Sequence, residues 1–163
     1  MSRRLGLDTG TYVAFLLSVV GALAWATGSA MLLPSLGPSA YVLAAIDDEP
    51  RRVVVGQFVG ALAAFGAVVA FAAGVPPLLE AAPQSTAAFR RVAAALVATV
   101  VATVGMHATN SRHPPAYATV LIVSLGIADG AREVAAFAAA VVVLVGTHLA
   151  ALRYGPWDPP YSL

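Results

Sequence analysis

The stretch SRHPPAYATVLIVSLG, residues 111–126, decides how the chain is arranged. Its apolar part is too short to cross a hydrocarbon core about 30 Å thick, because a helix rises only ~1.5 Å per residue. Proline suits the first turn of a helix, where its missing N–H has no partner to lose. The stretch therefore predicts a short membrane helix over residues 114–127 that starts at Pro114.

Four longer uncharged windows flank this segment. They cover residues 11–33, 53–74, 92–109 and 134–152, and each can cross the bilayer with some tilt. The chain of 163 residues is 60% hydrophobic and 10% charged, with a mean hydropathy of +0.83, whereas soluble domains carry about 25% charged residues. We therefore expect one integral domain, residues 1–163, that crosses the cell membrane with four helices.

A second short segment, LGPSAYVLAAI at residues 36–46, lies between the first two windows. Pro38-Ser39-Ala40-Tyr41 matches Pro114-Pro115-Ala116-Tyr117 at three of four positions, so the order long, short, long occurs twice. Paired short segments interrupted by proline indicate a transport site. The sequence predicts an all-α fold in which four spans shelter two re-entrant half-helices, over residues 38–46 and 114–127.

The alternative for both segments is a helix that lies flat on the membrane surface. Such a helix needs a strongly polar face. Residues 116–128 carry no charge, which favours the re-entrant interpretation.

The residues around the second short segment resemble the signature of the HPP family of integral membrane proteins. His113-Pro114-Pro115-Ala116, followed by Ala118-Thr119, is similar to the motif of that family, and residues 50–57 and the small residues Gly37, Ser39 and Ala40 are similar to its other blocks. The resemblance covers residues 37–152. It implies a four-span protein with a suspected transport function, and plant plastid relatives are linked to nitrite movement.

The helix starts at Pro38 and Pro114 are the strongest candidates for ligand binding. A helix N-terminus presents unpaired N–H groups and about half a positive charge, so two converging starts would hold a small anion. Arg112 either extends to lipid headgroups or recruits anions by its charge. The predicted substrate site consists of Gly37, Pro38, Ser39, Arg112, His113, Pro114 and Pro115.

Three further polar residues are candidates for a pore or a proton relay: Gln57, His107 and Asn110. His107 and Asn110 lie at helical spacing, so they are suited to face a cavity, and a relay would join His107 to His113. The alternative for these side chains is hydrogen bonding between helices. His148 lies near the end of its span and is expected at the membrane interface.

Several classes of function are excluded. The chain has no cysteine and no HExxH spacing, so we predict neither a metal site nor a cofactor. No Ser–His–Asp context is present, so we expect no enzyme. A net charge of +1 argues against nucleic acid as a partner. With alternating spans, five arginines lie on one side and four on the other, which weakly favours both termini in the cytoplasm.

These features predict a transporter or channel for a small anion, with nitrite suggested by the resemblance alone. The alternative is a non-transporting membrane subunit or sensor that binds a protein partner or a ligand. Because four spans enclose little volume, we expect a homo-oligomer in the lipid bilayer. Its predicted contact is the Gly56-x-x-x-Gly60 face or the alanine-rich third span.

Overall fold

The computed structural model describes residues 2–46, 49–128 and 130–155. These residues form six α-helices, a 3₁₀ turn at Leu78–Glu80 and no strand. Four of the helices are long and apolar enough to cross a membrane, as predicted. The helices are α1 (Ser2–Thr27), α2 (Leu32–Ala45), α3 (Pro50–Phe71), α4 (Thr86–Ala108), α5 (Ala116–Ser124) and α6 (Ala131–Tyr154).

The first short helix begins earlier than predicted. Gly28 has φ of 70°, a conformation that glycine adopts without strain, and it ends α1 inside the window assigned to the first span. α2 then starts at Leu32, with Pro34 in its first turn and Pro38 in its interior. The predicted start at Pro38 is therefore wrong. A turn of small uncharged residues does not interrupt a hydropathy window, which is why the sequence concealed it.

The second short helix, unlike the first, is shorter than predicted. Pro114 and Pro115 form the turn that precedes α5, and Gly126, with φ of 78°, follows its end. The helix therefore has 9 residues, or about 14 Å of length, against 14 residues and about 21 Å for α2.

Side-chain contacts establish the direction of each helix. α2 runs antiparallel to α1 and to α5, α5 runs parallel to α3, α4 runs antiparallel to α3, and α6 runs antiparallel to α1. For α1 and α2 the contacting pairs are Gly21–Leu33 and Leu17–Gly37, and for α2 and α5 they are Ser35–Thr119 and Ser39–His113. For α3 and α5 they are Gly56–His113 and Gly60–Val120, and for α3 and α4 they are Val59–Gly105 and Phe71–Arg90. For α1 and α6 they are Tyr12–His148 and Ser29–Glu133. The chain thus reverses direction at every connection.

This order of directions bears on the predicted half-helices. A re-entrant segment enters and leaves at the same end, which would make the long helices on either side of it antiparallel. Here α1 and α3 run in the same direction, and so do α4 and α6. The re-entrant path is therefore not confirmed, and the contacts favour two short crossings. We call the end where α1 begins the terminal end of the bundle, and the other the far end.

The helices pack in two groups of three. The first lobe contains α1, α2 and α6, whose buried side chains include Leu16, Leu36 and Leu144. The second lobe contains α3, α4 and α5, around buried alanines such as Ala64 and Ala98. Contacts of α2 with α5 and of α3 with α6 join the lobes. Each lobe therefore combines two helices of one half of the chain with the third helix of the other half.

Gly56 and Gly60 form a groove on α3 that holds the segment leading into α5. A Cβ atom at Gly56 would lie 2.5 Å from Cβ of His113, and one at Gly60 would lie 3.1 Å from the carbonyl oxygen of Ala116. The alanines on α4 are buried as well: Ala94, Ala98 and Ala102. The glycine face of α3 and the alanine face of α4 are therefore packed within the chain, so neither face is available for an oligomer contact.

Single cysteines will test the two short crossings, and the cysteine-free sequence needs no background mutation. We expect a membrane-impermeant maleimide to label Glu49→Cys and Asn110→Cys from one face of the membrane. Ala30→Cys, Gln84→Cys and Ile127→Cys should react from the other face. Re-entrant half-helices would instead place positions 30 and 127 with positions 49 and 110. Labelling in right-side-out and inverted vesicles distinguishes the two results.

A methyl group at Gly56 should displace the segment before α5. Overpacking of this kind typically costs about 1–3 kcal/mol, so Gly56→Ala should lower the midpoint of thermal unfolding in detergent. Gly66→Ala is the matched control, because no atom lies within 4 Å of a Cβ at that helical position. The control should unfold at the same temperature or higher, since alanine is the better helix former by up to about 1 kcal/mol. Equal losses in both variants would contradict the groove.

Candidate functional site

Five buried polar side chains meet where the two lobes touch, and we call them the polar cluster. Each of them is 0% exposed. They are Ser35 and Ser39 of α2, Gln57 of α3, His113 of the turn before α5, and Thr119 of α5. The cluster thus has two members from the first lobe and three from the second.

Gln57 lies at the centre of the polar cluster. Its Nε2 donates to Ser39 Oγ at 2.7 Å and to the carbonyl oxygen of Ser35 at 3.5 Å, and its Oε1 accepts from Thr119 Oγ1 at 2.6 Å. Two further bonds complete the cluster: Ser35 Oγ with Thr119 Oγ1 at 2.5 Å, and Ser39 Oγ with His113 Nε2 at 2.9 Å. The prediction that Gln57 bonds across helices is confirmed.

Counting protons gives these bonds a direction. A hydroxyl carries one proton, and Thr119 uses its proton on Gln57, so Ser35 must be the donor to Thr119. Gln57 donates to Ser39, which leaves the proton of Ser39 for Nε2 of His113. With Nε2 as the acceptor, each hydroxyl proton and each amide proton of the cluster has one acceptor. The chain of donors then runs from Ser35 through Thr119, Gln57 and Ser39 to His113.

Local sequence explains how these residues come together. Ser35 and Ser39 are one helical turn apart and share a face of α2. Gln57 follows Gly56, whose missing side chain allows the carbonyl oxygen of Ser111 and the side chain of His113 to approach α3. This small-residue contact brings the imidazole of His113 to the same depth as the amide of Gln57.

The start of α5 has no unpaired N–H for an anion. Pro114 and Pro115 carry no N–H at all, and the next three residues donate to the residues three before them. The pairs are Ala116–His113, Tyr117–Pro114 and Ala118–Pro115, at 3.0–3.1 Å. Pro38 lies inside α2, so its position has no helix start either. The predicted basis of the anion site, two helix N-termini at these prolines, is therefore wrong.

The other predicted site residues lie apart from the polar cluster. Arg112, Pro38 and Pro114 are exposed, Pro115 is buried in its turn, and Gly37 packs against Leu17 within the first lobe. His107 and Asn110 are exposed at the end of α4, so the structure does not join them to His113. Of the predicted set, only Ser39, Gln57 and His113 come together.

His148 is buried, which corrects its expected place at the membrane interface. It is 0% exposed, and its Nδ1 lies 2.9 Å from the hydroxyl of Tyr12 on α1. The bond joins α1 to α6 inside the first lobe.

No group of three His, Asp or Glu side chains in the described part of the chain is placed to hold a metal ion.

Sequence reasoning missed Arg91, which is only 5% exposed. Its guanidinium donates to three carbonyl oxygens: Nε to Pro76 at 3.1 Å, Nη2 to Val75 at 2.5 Å and Nη1 to Ser124 at 3.4 Å. Arg91 thereby fixes the end of α5 to the loop before α4. Its spacing from the buried alanines at 94, 98 and 102 places it on the inner face of the helix, and that spacing was available in the sequence.

A double-mutant cycle will test the central bond of the polar cluster. Gln57→Leu and Thr119→Val each leave a buried partner without its bond, so each should lower thermal stability in detergent. Together they should cost less than the sum, with a coupling energy of about 0.6–2 kcal/mol, the range of hydrogen bonds between membrane helices. Thr99→Val is the control, because Thr99 bonds only its own helix at Ala95. Strict additivity would contradict the bond.

Comparison with known proteins agrees with the fold. The model of the family described as HPP, transmembrane region, matches residues 6–154. Neither the curated proteins nor the solved structures contain a match to the chain. The match covers nearly the whole sequence, from within α1 to the end of α6, and includes the His113-Pro114-Pro115 motif. The chain belongs to the HPP transmembrane family.

Proposed function

We propose that the chain is a transporter or channel for a small anion, and that the polar cluster lies on the path of the solute. The observation that carries this proposal is the position of the cluster between two apolar lobes. Polar side chains are expensive inside a membrane and commonly mark a substrate or ion pathway. No other contact between the lobes in the described residues is built from buried polar side chains.

The arrangement of the helices supports a transport cycle. The halves α1–α3 and α4–α6 have the same order of long, short and long helices, and they run in opposite directions. Inverted repeats of this kind place the substrate site at the interface of the repeats, and transport proceeds as one unit rocks against the other. We propose that rocking breaks the Ser35–Thr119 and Ser39–His113 bonds and opens the path.

The distribution of charge supports an anion as the solute. Arg91 is the only charged side chain that is buried among the described residues. The described carboxylates lie at the ends of the bundle: Asp8, Glu49 and Glu80 are exposed, and Glu133 is half-buried. Within the described ranges a cation would meet no buried carboxylate, whereas an anion would meet hydroxyl and amide donors. Nitrite is suggested only by the family resemblance.

If α2 and α5 cross the membrane, the arginines are distributed less evenly between its two faces, which strengthens the argument for one orientation. Six of the nine arginines belong to segments at the terminal end of the bundle, namely Arg3, Arg4, Arg51, Arg52, Arg112 and Arg153. The remaining three, Arg90, Arg91 and Arg132, belong to the far end. Under the positive-inside rule this excess favours a cytoplasmic location for both termini.

We also propose a homo-oligomer, through a surface other than the groove at Gly56 and Gly60.

Flux into liposomes tests the proposal directly. Vesicles that carry the purified protein should take up nitrite, nitrate, formate or chloride faster than empty vesicles. Ser39→Ala and Thr119→Val each remove a hydroxyl from the path and should reduce flux about tenfold, the effect of about 1.4 kcal/mol. Ser18→Ala is the control, because Ser18 is exposed and bonds only its own helix. Wild-type protein without flux for any of the four ions would refute the proposal.

One observation favours the alternative of a non-transporting subunit or sensor. The polar cluster is closed, since its members bond one another, and such a cluster also serves as a fixed joint between two lobes. A joint predicts that Ser39→Ala alters stability and leaves membrane flux at the level of empty vesicles. The same liposome experiment therefore separates the two functions.

A further inference from the structure

Ser124 and Arg91 meet at the far end of α5, about 8 Å along the helix from the polar cluster at Thr119. The side chain of Ser124 is 0% exposed, and its hydroxyl is the one buried side-chain oxygen without a hydrogen-bond partner in the described chain. A buried hydroxyl that bonds nothing costs about 1–3 kcal/mol. The unpaired hydroxyl of Ser124 therefore lowers the stability of the folded chain unless a ligand binds there.

Arg91, whose Nη1 donates to the backbone carbonyl oxygen of Ser124, keeps further N–H donors available. Each terminal nitrogen of an arginine side chain carries two N–H groups, and in Arg91 each makes one bond, to Ser124 and to Val75. One N–H of each terminal nitrogen thus remains for another acceptor. Two neighbouring donors in one plane match the oxygens of a small oxyanion.

The charge at this position is not balanced within the described residues. No described carboxylate forms an ion pair with Arg91. The one ion pair among the described residues joins Glu49 to Arg52, at the start of α3. The end of α5 contributes only about half a negative charge, and its carbonyls at Leu121, Ile122 and Val123 already accept backbone N–H groups. A full positive charge therefore exceeds what the helix end can neutralise.

We propose that Arg91 and Ser124 form a binding site for a small anion of the nitrite, formate or chloride class at the far end of the path. The inference rests on the proposed function and gives it a specific location for recognition. The two donors of Arg91 supply the charge, and the Ser124 hydroxyl supplies a third donor. The site lies in the second lobe, so an anion bound there is about 8 Å along α5 from Thr119 of the polar cluster.

Anion binding to the purified protein in a neutral sugar detergent tests the site. Nitrite should raise the midpoint of thermal unfolding, while sodium gluconate at equal ionic strength should not. Ser124→Ala should weaken nitrite binding about tenfold, as expected for one hydrogen bond to a charged group, and it should leave the anion-free protein at least as stable as wild type. Arg91→Lys keeps the charge but loses the paired donors and should weaken binding more. Ser18→Ala is the control and should bind as wild type does.

The outcomes separate this site from the proposed function. If Ser124→Ala binds nitrite as tightly as wild type, the site is overturned, whatever the liposomes show. If binding depends on Ser124 but wild-type vesicles show no flux, the site stands and the transport function fails. Short-chain phosphatidic acid is the last arm, because lipid phosphate has the same chemistry. A Ser124-dependent shift with the lipid but not with nitrite would overturn the assignment to a small free anion.

Discussion

The arrangement of both lobes depends on the side-chain amide of Gln57. Its nitrogen reaches the first lobe at Ser35 and Ser39, and its oxygen is held by Thr119 of its own lobe. A side chain with separate donor and acceptor groups is suited to this place, because each end meets a partner of the opposite kind. A carboxylate would lack the donors toward α2, and an aliphatic residue would remove one hydrogen bond from each of three neighbours. The amide thus determines how the two short helices face each other.

Small residues make the hydrogen bonds of Gln57 possible. Hydrophobic burial does not drive helices together in lipid, so close approach depends on side chains that take little space. Gly56 and Gly60 let the segment at His113 and Ala116 lie against the backbone of α3. The two prolines then remove N–H groups that a tight turn at this depth could not satisfy. Packing therefore accounts for the His113-Pro114-Pro115 motif, since the turn that it forms places the imidazole of His113 where the two lobes meet.

The sequence predicted the long helices well because a bilayer imposes a minimum length of apolar residues. It failed at the turn of Gly28, since hydropathy records polarity and not backbone conformation. It did not establish the directions of α2 and α5, because length alone does not distinguish a re-entrant segment from a short crossing. Gln57 was identified as a polar residue within an apolar span, and His113 by its place before the two prolines at the predicted helix start. Their partners Ser35 and Thr119 were missed, because a hydroxyl on a membrane helix commonly bonds its own backbone and gives no signal of a distant contact.

The strength of the polar cluster suits a joint that opens. Four of its bonds cross between the lobes, from Ser35 or Ser39 to Gln57, His113 and Thr119. Hydrogen bonds between membrane helices average about 0.6 kcal/mol, so together these bonds hold the lobes by about 2 kcal/mol. If an open state lost only these bonds, a difference of that size would place a few per cent of molecules in it. An anion that accepts from the same hydroxyl and amide donors would replace the lost bonds in the open state, so the solute itself would shift the equilibrium towards opening.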